Sequence, residues 1–395
     1  MLSYLASCAR LWQGTVHGGR HTARADPLNN GTDMTQTPAF AFAPHPDPVD
    51  AATRAARIAD PQFGRVFTDH MASITYVEGQ GWHDAKIMAR GPLLLDPATA
   101  VLHYAQEIFE GLKAYRLDDG AMALFRAEAN AARFNASAAR MAMPALPPEL
   151  FLESCRALVR TDAAWFPMVD GGAIYLRPFM FASEVFLGVK PASEYRYLVL
   201  ASPVGNYFKS GAPAISLWVS EDYTRAGPGG TGAAKCGGNY AGSLVAQSEA
   251  IAKGHDQVVY LDVAERKWIE ELGGMNMFFV FADGSVVTPP LTGTILPGIT
   301  RDALITLARE AGLTVREDRY SIDQWRSDAE SGHLTESFAC GTAAVVTPVG
   351  SVSSAHGRFT IGAGGPGQVT QMLKNRLVAI QRGQAADTHG WVSRI

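Results

Sequence analysis

Between Leu112 and Arg126 the chain reads LKAYRLDDGAMALFR: an apolar-rich run to Leu117, the turn Asp118-Asp119-Gly120, and a second run from Ala121. Asp-Gly between two such runs marks a β-hairpin, because glycine adopts the left-handed backbone that a tight turn needs. Past the hairpin the period changes. From Ala127 to Met143, the residues Ala131, Phe134, Ala138 and Met141 fall on one stripe, the spacing of a helix with one buried face. A second helix is expected to open at Pro147-Pro148 and run to about Val159, since proline is tolerated in a first turn. Strands at Ala173 to Phe181 and Tyr195 to Val204 complete an α+β first half.

Gly205 to Pro213 is the best linker candidate. Beyond it come a strand (Ala214 to Ser220), a glycine-rich loop, a helix (Gly242 to Lys253) and strands at Gln257 to Leu261 and Met275 to Phe281. A second Asp-Gly turn stands at Asp283-Gly284, and helices fit Arg301 to Ala311 and Val369 to Arg382. The expected fold class is mixed α+β and α/β, in two domains. Residues 1–55 read as an extension without fixed structure, 56–204 as a smaller α+β domain, 205–213 as the linker and 214–395 as a larger domain.

Composition agrees with two cores. A chain of 395 residues exceeds what one core usually serves, and 47% apolar against 18% charged residues excludes wholesale disorder. No apolar run approaches the ~18–20 residues of a bilayer crossing, so no membrane is expected. The net charge is −4, with no long basic run, which excludes nucleic acid as a partner. Cys8, Cys155, Cys236 and Cys340 lie far apart, so neither a disulfide framework nor a metal site assembles from local spacing. That pattern fits the cytoplasm. Before Asp26 the chain has arginines and no acid, which leaves a mitochondrial transit peptide as an alternative to a plain polar tail.

The chemistry concentrates in RAGPGGTGAAKCGGNY, residues 225–240. Glycines there let backbone approach a ligand closely, and Lys235, flanked by Ala233, Ala234 and Cys236, suits a nucleophilic amine. Gly227, Gly229 and Gly232 formally satisfy G-x-G-x-x-G, as do Gly362, Gly364 and Gly367, but neither run has the full strand, turn and helix context of a dinucleotide site.

Several motifs agree in order and spacing: FGRVFTDHM at Phe63 to Met71, LHYAQEIFEGLKAY at Leu102 to Tyr115, YLRP at Tyr175 to Pro178, and KCGGNY at Lys235 to Tyr240. They continue with EELGGMN at Glu270 to Asn276, LPGITR at Leu296 to Arg301 and GTAAVVTPV at Gly341 to Val349. In these the chain resembles the branched-chain aminotransferases, pyridoxal 5′-phosphate enzymes of the two-domain class IV aminotransferase fold, also called D-amino acid aminotransferase-like. The resemblance implies that Lys235 is the Schiff-base lysine and that Tyr240 bonds the cofactor's phenolic oxygen. It implies further that Glu271 keeps the pyridine nitrogen protonated, its neighbour Glu270 facing the other way along a strand. Arg133, Ile299, Thr300 and Thr342 match the phosphate-binding positions, with Arg225 bracing the loop among the cofactor contacts. Without the resemblance Arg133 reads as a helix-surface arginine and Thr300 as a helix N-cap.

For substrate, Phe63, Tyr104, Phe109 and Tyr175 match an aromatic pocket, and Arg177 with the Tyr104 hydroxyl matches an edge that receives a distal carboxylate. Thr342 and Ala343 would offer backbone N–H groups to the α-carboxylate. The implied reaction moves an amino group between leucine, isoleucine or valine and 2-oxoglutarate, giving glutamate, in a homodimer. A D-amino acid transaminase or aminodeoxychorismate lyase on the same fold is the alternative; a dinucleotide-binding oxidoreductase stands further off. Gly274 replaces a threonine found in some members, and Ala344 and Thr347 replace a C-x-x-C found in others.

Overall fold

The computed structural model describes residues 39–169, 171–205 and 214–395. Its strands form two sheets. The first holds β1 (Ala41–Phe42), β2 (His70–Val77), β3 (Gly81–Ala89), β4 (Glu107–Phe109), β5 (Leu112–Arg116), β6 (Met122–Phe125), β7 (Ala173–Ala182) and β8 (Glu194–Val204). The second holds β9 (Ile215–Ser220), β10 (Gln257–Leu261), β11 (Ile269–Leu272), β12 (Asn276–Phe281), β13 (Ser285–Thr288), β14 (Thr314–Glu317), β15 (Leu334–Gly341), β16 (Val345–Ser354) and β17 (Gly357–Thr360). β18 (Val392–Arg394) returns to the first sheet and pairs antiparallel with β6.

Six strands of the second sheet close on themselves in the order β11-β10-β9-β16-β15-β12. The closing pair is Glu271 opposite Asn276. A glutamate named from its motif therefore stands at the seam of a barrel.

The helices are α1 (Ala51–Ala59), α2 (Val101–Tyr104), α3 (Ala127–Arg140), α4 (Pro148–Thr161), α5 (Gly237–Ala241), α6 (Leu244–Ala252), α7 (Ile299–Glu310), α8 (Ile322–Ser331) and α9 (Gln368–Gln381). α3 and α4 cover the first sheet, where Phe134, Phe151 and Leu158 pack with Ile74, Ile108 and Tyr197. Leu217, Val259, Met277 and Phe279 form a second core with Trp325 of α8. A third core joins the two halves: Tyr115, Phe125 and Tyr175 of the first sheet meet Phe278, Phe338, Leu304 of α7 and Leu377 of α9. Fully burying side chains of this size stabilises by roughly 1.5–3 kcal/mol each, so this shared core fixes the cleft where both sheets contribute residues.

The sequence reading places the hairpin correctly, with Gly120 at φ 83° in its turn. The helix expected at Gly242 to Lys253 is α6, and a short helix that the sequence reading did not place, α5, precedes it, the Ser243 hydroxyl bonding back to the Tyr240 carbonyl (2.7 Å) between them. The reading needs two corrections, to the extension and to the C-terminus. The part of the extension from Ala39 on has fixed structure: β1 runs parallel to β3, and the Asp50 side chain caps α1. Residues 1–38, with the transit-peptide alternative, lie outside the described residues, as does the expected linker except Gly205. The C-terminus, assigned to the 214–395 domain, crosses back: Arg126 N donates to Trp391 O (2.7 Å) beside β18.

Candidate active site

Lys235 lies in the loop between β9 and α5, held at both backbone atoms. Its N–H donates to Ser137 Oγ of α3 (2.9 Å), and its carbonyl accepts from Phe109 N of β4 (2.9 Å). The side chain is thereby aimed. Nζ donates to Tyr240 Oη at 2.8 Å and stands 4.9 Å from the Phe109 ring centroid. α5 brings Tyr240 round to the lysine, and Phe109 and Tyr240 pack ring to ring at 4.9 Å. Gly237 has a steric reason: a Cβ there would overlap the Glu107 carboxylate, which accepts the Gly237 N–H.

Closure of the barrel sets Glu271 against Arg225, Oε1 to Nη1 at 2.6 Å, with both side chains almost fully buried. The same oxygen accepts from Leu296 N (3.1 Å). Burial pushes this carboxyl up to about 7, the Arg225 charge and the Leu296 N–H offsetting only part of that. Glu270 faces the other way, as strand alternation requires, and accepts from Thr294 Oγ1 (2.6 Å). Both glutamates are buried, so neither is a solvated strand end. Arg225, expected among the cofactor contacts, pairs with Glu271.

Arg133 is no surface residue. Its Nε and Nη2 fork onto Glu110 Oε1 and Oε2 (2.7 and 2.9 Å), and Nη1 donates to Pro297 O (3.0 Å). Glu110 also accepts from Asn130 Nδ2 (2.7 Å). Burial raises the Glu110 carboxyl, but the Arg133 charge and hydrogen bonds outweigh it and leave the group below its ordinary range. Immediately after Pro297, α7 starts with Gly298 as its N-cap and no side chain capping it. Thr300 is therefore a first-turn residue and not the cap. A helix start with uncapped N–H groups, next to a guanidinium, is the donor set an anion requires.

Ile299, Thr300 and Thr342 share the wall of one cavity with Lys113. Lys113 donates to Ala343 O (2.9 Å) and so ties the Thr342–Ala343 turn to β5. Burial, with Arg382 nearby, pushes its amine down to about 8.

On the substrate side, Arg177 Nη2 donates to Tyr175 Oη (3.0 Å), and its guanidinium lies 4.8 Å from the Phe109 centroid. Phe63 stacks edgewise on Tyr175 at 5.0 Å. Tyr175 fits because residue 111 is glycine; a Cβ there would overlap its hydroxyl. Arg177 Nε is buried without a hydrogen-bond partner. Tyr104 does not join this group: its ring is 39% exposed and its hydroxyl donates to the Leu187 carbonyl. Within the chain the hydroxyl on Arg177 is that of Tyr175.

Glu110, Lys113 and Ser137 were missed in the sequence. Asn130 and Arg133, one helical turn apart, were the available signal for Glu110, since both reach it. The glycine-motif alternative meets an obstacle at Gly362 to Gly367: the N-terminus of α9 is filled by Glu336, which accepts from Val369 N and Thr370 N (2.9 and 2.7 Å) and leaves no place for a phosphate. Cys155, Cys236 and Cys340 are buried and unpaired, and burial raises the Cys340 thiol to about 12, out of the range of a reactive thiolate.

Residues 107–352 match the family pattern of amino-transferase class IV. The chain is 57% identical over 357 residues to a probable branched-chain-amino-acid aminotransferase of Streptomyces coelicolor, spanning 90% of this chain and 98% of that protein. It is 56% identical over 353 residues to the branched-chain-amino-acid aminotransferase of Mycobacterium tuberculosis, spanning 88% and 96%. Its fold is similar to that of the T.th. branched-chain amino acid aminotransferase solved with pyridoxamine 5′-phosphate, at TM-score 0.68 and 29% identity, over 82% of this chain and 98% of that one. The chain belongs to the class IV aminotransferases and, within them, to the branched-chain amino acid aminotransferases.

Proposed function

We propose that the chain transfers the amino group of leucine, isoleucine or valine to 2-oxoglutarate, with pyridoxal 5′-phosphate as carrier, at the cleft around Lys235. The observation that carries this reading is the Lys235 Nζ–Tyr240 Oη contact of 2.8 Å, set between the Phe109 ring and the buried Glu271–Arg225 pair. The residues fit the cofactor: an uncapped helix start and Arg133 for its phosphate, a buried carboxylate for its ring nitrogen, an amine for its aldehyde.

Bound pyridoxal phosphate supplies the electron sink for charge that develops at the substrate Cα. Lys235 Nζ is the nucleophile that holds the group at rest; once displaced, it takes the proton from Cα. Tyr240 orients that amine and bonds the phenolic oxygen. Glu271 keeps the ring nitrogen protonated, and Arg225 fixes Glu271 and favours its ionised form. Arg133, steered by Glu110, binds phosphate together with the backbone of Ile299 and with Thr300 and Thr342. Thr342 and Ala343 direct N–H groups at the α-carboxylate, and Lys113 fixes their turn.

Phe63, Phe109 and Tyr175 wall the side-chain pocket, and Arg177 reads a distal carboxylate through its unpartnered Nε. Arg177→Met is expected to raise the KM for 2-oxoglutarate far more than that for leucine, by roughly 2–5 kcal/mol in kcat/KM for the keto acid, the range for an unpaired buried charge. Steady-state kinetics with each substrate check this. An equal loss with both would make Arg177 a structural residue.

The reading includes a homodimer. Val185, Leu187 and Val189 are 58%, 61% and 90% exposed beside Tyr104, an apolar edge that suits burial against a second copy whose pocket Tyr104 would complete. Among the described residues no helix is long and apolar enough to cross a membrane. A cytoplasmic setting matches the bacterial relatives.

A further inference from the structure

We infer that Glu107 determines specificity: its carboxylate is a standing counter-charge for Arg177 that favours aliphatic over dicarboxylate ligands. The inference rests on the proposed reading of Arg177. Glu107 and Phe109 alternate on β4 and so point to one face, and the Phe109 ring lies beneath the Arg177 guanidinium at 4.8 Å. The Gly237 N–H holds the Glu107 carboxylate in place. It is only partly exposed and lies within the field of Arg177, which opposes the upward push of burial on its carboxyl.

The pocket has to solve a charge problem. An aliphatic side chain strips water from Arg177 and brings no anion, and a buried guanidinium without a counter-charge is costly. Glu107 limits that cost. A dicarboxylate brings its own anion, and Glu107 then repels it. One fixed carboxylate thus tilts the pocket toward aliphatic ligands.

The test uses holoenzyme and two ligands without an amino group, 4-methylvalerate and glutarate, so that binding alone is read by calorimetry. Glu107→Gln keeps an acceptor for the Gly237 N–H and removes the charge. We expect glutarate to gain roughly five- to twentyfold relative to 4-methylvalerate, as for one charge acting through a partly buried gap. Glu107→Ser, which also loses the acceptor, should show the same change in ratio on top of any common loss. An unchanged ratio in both variants, whether or not affinity falls, overturns the inference and leaves Glu107 as a brace for the Lys235 loop. Arg177→Met run alongside separates the two claims. If it weakens both ligands equally, the reading of Arg177 itself fails; if it weakens glutarate selectively while the Glu107 variants leave the ratio unmoved, only the role of Glu107 fails.

Discussion

Lys235→Ala is expected to lower turnover by at least about four orders of magnitude, because one amine serves as both nucleophile and proton carrier and each role is worth a large factor. The fold should survive. The backbone clamps on Lys235, from Ser137 and to Phe109, do not involve its side chain, and Nζ makes a single hydrogen bond, to Tyr240. Circular dichroism and melting temperature should therefore stay close to wild type while the visible band of the covalently held cofactor disappears. A variant that still transaminates leucine near the wild-type rate would remove Lys235 from the reaction.

Glu271→Gln should leave the cofactor bound but slow proton abstraction by about 10²–10³-fold, the scale of losing one preorganised electrostatic partner. Glu270→Gln should be nearly silent in rate, since its side chain leaves the opposite face of β11 toward Thr294. If Glu270 were the sensitive residue, the assignment would be one position off. The Glu271 variant has a second readout. In cofactor-free protein its carboxyl is raised from 4.5 to about 7, so the folded chain holds this proton more tightly than the unfolded one. Its contribution to stability is then present below 4.5 and lost as pH rises through about 7, and Glu271→Gln should flatten that part of the stability curve.

Much of this site was legible because its pieces are short and contiguous. Lys235 and Tyr240 belong to one loop and the helix after it, and the alternation of Glu270 and Glu271 follows from strand geometry alone. The hairpin at Leu112 to Arg126 and the helix after it follow from turn chemistry and period. Tertiary partnerships were not legible. Nothing near Arg225 in the chain points to Glu271; the barrel must close at Asn276 before the two meet. Lys113 sits in a run whose neighbours are buried, and its partner is the carbonyl of Ala343, a backbone atom that carries no sequence signal. The Arg177–Tyr104 edge does not form within one chain, for a related reason. Tyr104 ends a short helix facing outward, and side-chain identity does not say whose pocket an exposed tyrosine serves. The helix expected from Gly242 is present as α6, whereas α5, only Gly237–Ala241, is too short to leave a periodic signal.

The most direct measurement is the half-reaction. Purified holoenzyme is mixed with isoleucine alone, without any keto acid, and the visible spectrum is followed while the released product is quantified. The account requires the cofactor band to convert to that of the amino form with one equivalent of the branched-chain keto acid per site, and 2-oxoglutarate then to restore the original band with release of glutamate. A spectrum unmoved by isoleucine, leucine and valine but converted by a D-amino acid would contradict it.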